Sequence, residues 1–127
     1  MKILNISQYY IHSNEKAISS EGDGTLNIKI PDDEPYDQYI YDPSDPVRCI
    51  LDPNEISAEG LFDQSSLERR KDVLVYQTDV LKEEIEVTGP IKMRLYVSSD
   101  AIDTDFWGSI NRCFFNRIFY AFNRKYN

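Results

Sequence analysis

Residue types able to do acid–base or nucleophilic chemistry are sparse in this chain. It has one histidine, His12, followed directly by Ser13. A serine nucleophile needs a base within hydrogen-bond reach and usually a strained, glycine-flanked turn. No Gly-x-Ser-x-Gly occurs, and neighbouring side chains on an extended segment point to opposite faces. His12 therefore reads as a structural or surface residue and not as a general base. Asp100, Asp103 and Asp105 bring oxygen ligands close together, as calcium requires, and Asp32, Asp33 and Glu34 form a second acidic run. The first set departs from EF-hand spacing and lacks its glycine and terminal Glu. Aspartates also cap turns by bonding their own backbone, so turns and no metal site are expected here. Paired carboxylates for glycoside cleavage would need a groove and a raised pKa, neither of which a sequence displays. Cys49 and Cys113 are too few for a disulfide framework or a zinc site. Gly22, Asp23 and Gly24 signal a tight turn, since a phosphate loop would add a lysine and a following helix. Tyr9, Tyr10, Tyr36, Tyr39, Tyr41 and Phe62 have the chemistry of a sugar- or peptide-stacking surface. A sandwich core and its rim absorb the same residues, and that is the expectation. No catalytic, cofactor-binding or metal-ligating residue is assigned.

The elements that position these residues read as strands. Residues 72–78 mix β-branched, aromatic and polar types over strand length, and Glu84-Ile-Glu-Val-Thr88 alternates cleanly. After the turn pair Gly89-Pro90, residues 91–97 alternate again, with Ile91, Met93, Leu95 and Val97 on the face expected to meet the core. Lys92, Arg94 and Tyr96 take the other face. Shorter strand candidates lie at 9–12, 26–30 and 38–41, the last closed by Asp42-Pro43 and Asp45-Pro46. Between Asp52 and Arg70 the period is lost, which predicts a long loop or a short helical turn. Short strands separated by turn signals predict an all-β antiparallel sandwich and not an α/β sheet.

Composition narrows the function classes. The 127 residues carry 22 acids against 14 bases, a formal charge of −8, with 41% hydrophobic residues. Such a chain is too apolar for a disordered acidic tail and too acidic for non-specific nucleic-acid binding. No apolar run approaches the roughly 20 residues of a membrane span. Residues 1–8 lack the flank, apolar stretch and cleavage site of a secretory signal. A cytoplasmic domain with no nucleic-acid or membrane partner is expected.

Several motifs in order resemble one known family. They are Tyr9-Tyr-Ile-His-Ser-Asn14, Gly22-Asp-Gly-Thr-Leu26, Asp33-Glu-Pro35 and Tyr39-Ile-Tyr-Asp-Pro-Ser-Asp-Pro46. More specific still are Arg70-Lys-Asp-Val-Leu-Val-Tyr76, Glu86-Val-Thr-Gly-Pro90, Leu95-Tyr-Val-Ser-Ser-Asp-Ala101 and Asp103-Thr-Asp-Phe106. Together they resemble the C-terminal, non-catalytic domain of Xaa-Pro dipeptidyl-peptidases and cocaine-esterase-like (CocE/NonD) serine hydrolases. The resemblance implies a jelly-roll β-sandwich of the galactose-binding-like type, packed on an α/β-hydrolase domain whose active site it helps to wall. The family's Ser-His-Asp triad sits in that other domain, so no catalytic residue carries over and His12 matches no triad position. The chain is thus expected to be no enzyme by itself. The alternatives are an independent carbohydrate-binding jelly roll and a split-gene subunit of an active acyl hydrolase.

The last part of the chain departs from that pattern. Residues 1–107 hold every acid and 10 of the 14 bases, whereas 108–127 hold four bases, no acid and six of the 16 aromatics. We therefore divide the chain into a β-sandwich domain, 1–107, and a divergent basic aromatic tail, 108–127. Phe114, Phe115, Phe119 and Phe122 follow no period of two, which predicts an irregular or helical tail and an incomplete jelly roll. With A/T-rich codons, Ser109 to Phe115 read one base on becomes Val-Leu-Ile-Asp-Val-Phe, a family-like strand. That predicts an out-of-frame origin for the tail. An incomplete sandwich would leave the edge at 91–97 open to self-association.

Overall fold

The computed structural model describes residues 7–48, 65–83, 85–112 and 117–123. Among these described residues the regular structure is five strands and one 3-10 turn, Leu67–Arg69. The strands are β1 (Tyr10–His12), β2 (Thr25–Asn27), β3 (Leu74–Gln77), β4 (Phe106–Arg112) and β5 (Arg117–Asn123), in the sheet order β1-β2-β3-β5-β4. The domain is all-β. Among the described residues, no helix is long and apolar enough to cross a membrane.

β3 organises the rest because its sequence is apolar on both faces. Val73 and Val75 pack with Val47 and half-buried Leu67 on one side. Leu74 and Tyr76 pack with Ala17 on the other, where Ile11, Ile18, Leu26, Tyr39 and Leu95 close around them. A strand covered on both faces reads as a continuous apolar run, as 73–76 does. Its two edges are occupied too. β5 pairs antiparallel along one, with Val75 opposite Tyr120 and Gln77 opposite Ile118. Along the other, the Val75 N–H donates to the Ala17 carbonyl at 2.8 Å and the Gln77 N–H to the Gly24 carbonyl at 3.2 Å. This edge brings the 13–24 turn hard against β3. A Cβ on Gly24 would stand 2.1 Å from the Val75 oxygen, and one on Gly22 would stand 2.0 Å from the Lys16 oxygen. Only glycine permits either approach.

β1 pairs antiparallel with β2, placing His12 opposite Thr25, and β2 meets β3 in parallel at Thr25 and Gln77. β1 lies within the stretch 9–12 read as strand-forming, whereas β2 overlaps the stretch 26–30 only at Leu26 and Asn27. Three expectations need correction. First, residues 91–97 join no ladder with other described residues and their expected core face is open, with Ile91 57%, Met93 45% and Val97 54% exposed. Only Leu95 reaches the core. Alternation specifies which side chains share a face, but not that a second strand will lie alongside. Second, 38–41 and 85–88 form no strand of the described sheet, and Tyr39 alone of the first group joins the core. Third, the tail is neither irregular nor helical over 117–123, because β4 and β5 form an antiparallel pair that extends the sheet beyond β3. The run Ile118 to Phe122 is rich in strand-favouring Ile, Phe and Tyr, a preference that residue type carries without a period of two. β4 also runs across the 107/108 boundary. Cys49, Phe62, Cys113, Phe114 and Phe115 lie outside the described residues.

Truncating Leu74 to Ala is expected to lower the unfolding free energy by about 2–5 kcal/mol. The same change at fully exposed Ile102 should stay within about 0.5 kcal/mol. Urea unfolding of both variants checks this, and comparable shifts would show that β3 is not the core strand.

Candidate functional site

The only histidine lies at the end of β1, where both ring nitrogens are engaged. Nδ1 is 2.6 Å from Oε1 of Glu34, and Nε2 is 3.0 Å from the Lys29 carbonyl oxygen. Ser13 turns the other way. Its hydroxyl donates to Oδ2 of Asp37 at 2.5 Å, while its N–H donates to Oε2 of Glu34 at 3.4 Å. Neighbouring side chains on an extended strand diverge, so His12 and Ser13 serve different carboxylates and form no nucleophile–base pair. No ring nitrogen is left over to take a proton from a substrate.

Asp37 is a structural hub. Oδ2 also accepts from the Tyr76 hydroxyl at 2.8 Å, and Oδ1 accepts from the Ala17 N–H at 3.0 Å. One carboxylate thus ties the 13–24 turn, at Ser13 and Ala17, to β3 at Tyr76. Burial, then the Asp37 hydrogen bond and charge, drive the Tyr76 phenol far above its ordinary value. Nothing local in the sequence announces this residue, since its partners lie 20 to 39 positions away.

Arg70 forms a second cluster at the start of the strand segment. Nε and Nη2 donate to the two Asp72 oxygens, each at 2.7 Å, and Nη2 also reaches Oδ2 of Asp45 at 3.1 Å and the Asp45 carbonyl at 2.7 Å. The paired fork on Asp72, foremost, and Asp45 raise the guanidinium pKa against the opposing effect of burial. The pair is close in sequence, but residues 71–72 form a turn, so no strand pattern announces it. Around the pair is an open depression of about 410 Å³, with Ile40, Asp42 and Lys71 on its walls. Asp42 is held below the usual carboxylate range by the Ser44 hydroxyl first and then the Ser44 N–H. With its guanidinium already matched by two carboxylates, the depression offers electrostatic order and no reacting group.

The other sequence candidates stay apart from these clusters. Asp100, Asp103 and Asp105 are all exposed, and among the described residues no three His, Cys, Asp or Glu side chains are placed to hold a metal. Asp23 accepts from the Asn14 N–H through Oδ2 at 3.0 Å, leaving Oδ1 buried and unpartnered among the described residues. The tyrosines do not share one environment: Tyr39 packs in the core, whereas Tyr36 is 73% exposed. Burial, then the nearby Asp72 charge, push the Tyr39 phenol up to about 12.

Two outcomes follow. Asp37→Ala leaves the buried Tyr76 hydroxyl without its acceptor and should cost about 1–3 kcal/mol from that group alone. A double-mutant cycle with Tyr76→Phe should then show a coupling of about 0.5–3 kcal/mol, and strict additivity would remove Asp37 from its place as hub. Stability should also respond to alkali. The folded state prefers the neutral Tyr39 phenol, so this contribution is complete below the ordinary value of 10.0 and is lost as pH rises toward about 12. Unfolding free energies measured across that window should decline with pH, and less steeply in Tyr39→Phe.

The comparisons with known proteins agree with this non-catalytic geometry. The family model for the X-Pro dipeptidyl-peptidase C-terminal non-catalytic domain matches residues 5–112. Cocaine esterase from Rhodococcus sp. (strain MB1 Bresler) is 43% identical over 102 residues, covering 77% of this chain. The match spans only 17% of that protein's length. No solved structure matches the chain. With most of its length in register with one family model, and its polar clusters spent on holding the fold, the chain belongs to the X-Pro dipeptidyl-peptidase C-terminal non-catalytic domain family.

Proposed function

We propose that this chain is a jelly-roll β-sandwich module that packs against an α/β-hydrolase domain, helps to wall its active site and performs no hydrolysis by itself. The match to a non-catalytic hydrolase domain carries this reading. Two structural features support it. The one histidine is committed to Glu34 and the Lys29 carbonyl, so it is not available as a base. Ile28, Ile30, Tyr36 and Ile40 are each at least 70% exposed, an apolar display suited to packing against another domain. Most of the length of cocaine esterase lies outside the aligned stretch, and that larger body is the kind of partner this reading requires.

The purified chain should turn over neither p-nitrophenyl esters nor a Xaa-Pro anilide. Turnover that co-purifies with it and disappears in His12→Ala would overturn the non-catalytic reading. Co-expression with a hydrolase domain of the cocaine-esterase type should yield a stable one-to-one complex, and failure to co-elute would remove the packing role.

A further inference from the structure

His12 closes β1, where the ladder sets it opposite Thr25 of β2. Past Asn27 the chain leaves that ladder and returns to the imidazole twice. The Lys29 carbonyl meets Nε2 at 3.0 Å, and Oε1 of Glu34 meets Nδ1 at 2.6 Å. One ring thus bridges both ends of the loop 29–34, with its side chain only 14% exposed. Apolar burial does little to hold this loop, since Ile30 is 77% exposed and 31–34 are exposed as well. The Glu34 N–H donates to the Asp32 carbonyl at 2.9 Å, which shapes the loop without tying it to the sheet. The second Glu34 oxygen accepts from the Ser13 N–H at the long distance of 3.4 Å.

A carbonyl oxygen and an ionised carboxylate both accept and neither donates, so each contact needs a hydrogen on the ring. A neutral imidazole carries one N–H and the imidazolium carries two. The two contacts are therefore complete only with one proton more than a neutral ring beside a carboxylate holds. Without that proton, Nε2–H can keep the Lys29 carbonyl, but the Nδ1 lone pair then faces a carboxylate oxygen and repels it. Among the described residues, Glu34 alone brings an opposite charge within ion-pair distance of the ring. Lys29 contributes its carbonyl and β2 sets uncharged Thr25 opposite. The neighbouring carboxylates of Asp37 and Asp23 are bonded to Ser13 and Asn14. Imidazole is the side chain that ordinarily changes charge near neutrality.

We propose that His12 and Glu34 form a proton-operated clasp, in which the protonated pair closes the 29–34 loop at both ends and loss of the proton frees the Glu34 end. The loop carries Ile30 and leads into Tyr36, so the clasp sets the order of part of the exposed apolar face. It does not depend on what that face packs against.

NMR on the full, 15N-labelled chain tests it, with spectra recorded on either side of the His12 ring's own titration. With the ring protonated, the backbone order parameters of Asp32, Asp33 and Glu34 should be near the rigid value of about 0.85, and with the ring neutral they should fall toward about 0.6. Glu34→Gln should remove this dependence, because an amide can accept from a protonated Nδ1 or donate to a bare one. In that variant the three order parameters should stay high while the ring still titrates. Wild-type order parameters that are equal on both sides of the ring's titration would overturn the proposal. So would a folded Glu34→Gln chain whose loop loosens with pH as much as the wild type.

Discussion

Strand β3 is covered on both faces and bonded along both edges, and the remaining structure is arranged to satisfy it. Val73 and Val75 need one apolar layer, while Leu74 and Tyr76 need another. Its backbone needs acceptors and donors on either side, because an unpaired buried peptide group costs about as much as a lost hydrogen bond. The 13–24 turn supplies the Ala17 and Gly24 carbonyls, and β5 supplies the opposite ladder. The turn can do so only by winding tightly, with Glu15 and Ser19 in left-handed backbone and glycine at positions 22 and 24. Local strain in the turn is thereby exchanged for a satisfied central strand.

The same demand explains where the polar chemistry went. Tyr76 lies in the core but ends in a hydroxyl, which burial obliges to find a partner. Asp37 meets it, and in doing so gathers Ser13 and the Ala17 N–H. Arg70 is treated similarly, held between buried Asp72 and exposed Asp45. Charged groups placed to anchor loops in this way are poor material for catalysis, because a group whose hydrogen bonds are all committed has none to offer a transition state. The clusters are functional in the sense that they hold the domain's shape. That shape is what a non-catalytic domain contributes.

Beyond the core, the 79–105 stretch is governed by different physics. It contributes Leu95 to the apolar cluster and otherwise leaves alternating side chains in solvent. Among the described residues 91–97 join no ladder, so the alternation of that segment sets which side chains share a face and not which strand it meets.

Period-two alternation, turn chemistry and residue type were enough to identify an all-β chain and to locate β1, β2 and β3. The motifs from Tyr9 to Phe106 were enough to indicate the family. The poverty of bases and nucleophiles was likewise plain from one histidine and no nucleophile elbow. The Arg70–Asp72 pair is close in sequence but was not read from it, because residues 71–72 form a turn whose side-chain directions no strand pattern gives. Asp37 was not legible either, since its partners are brought to it only when the 13–24 turn folds against β3. Nor could alternation say that 91–97 would join no ladder among the described residues while the unpatterned 117–123 would gain two neighbours. Side-chain periodicity is a property of the segment alone. Strand pairing belongs to two segments at once, so only the tertiary structure decides it.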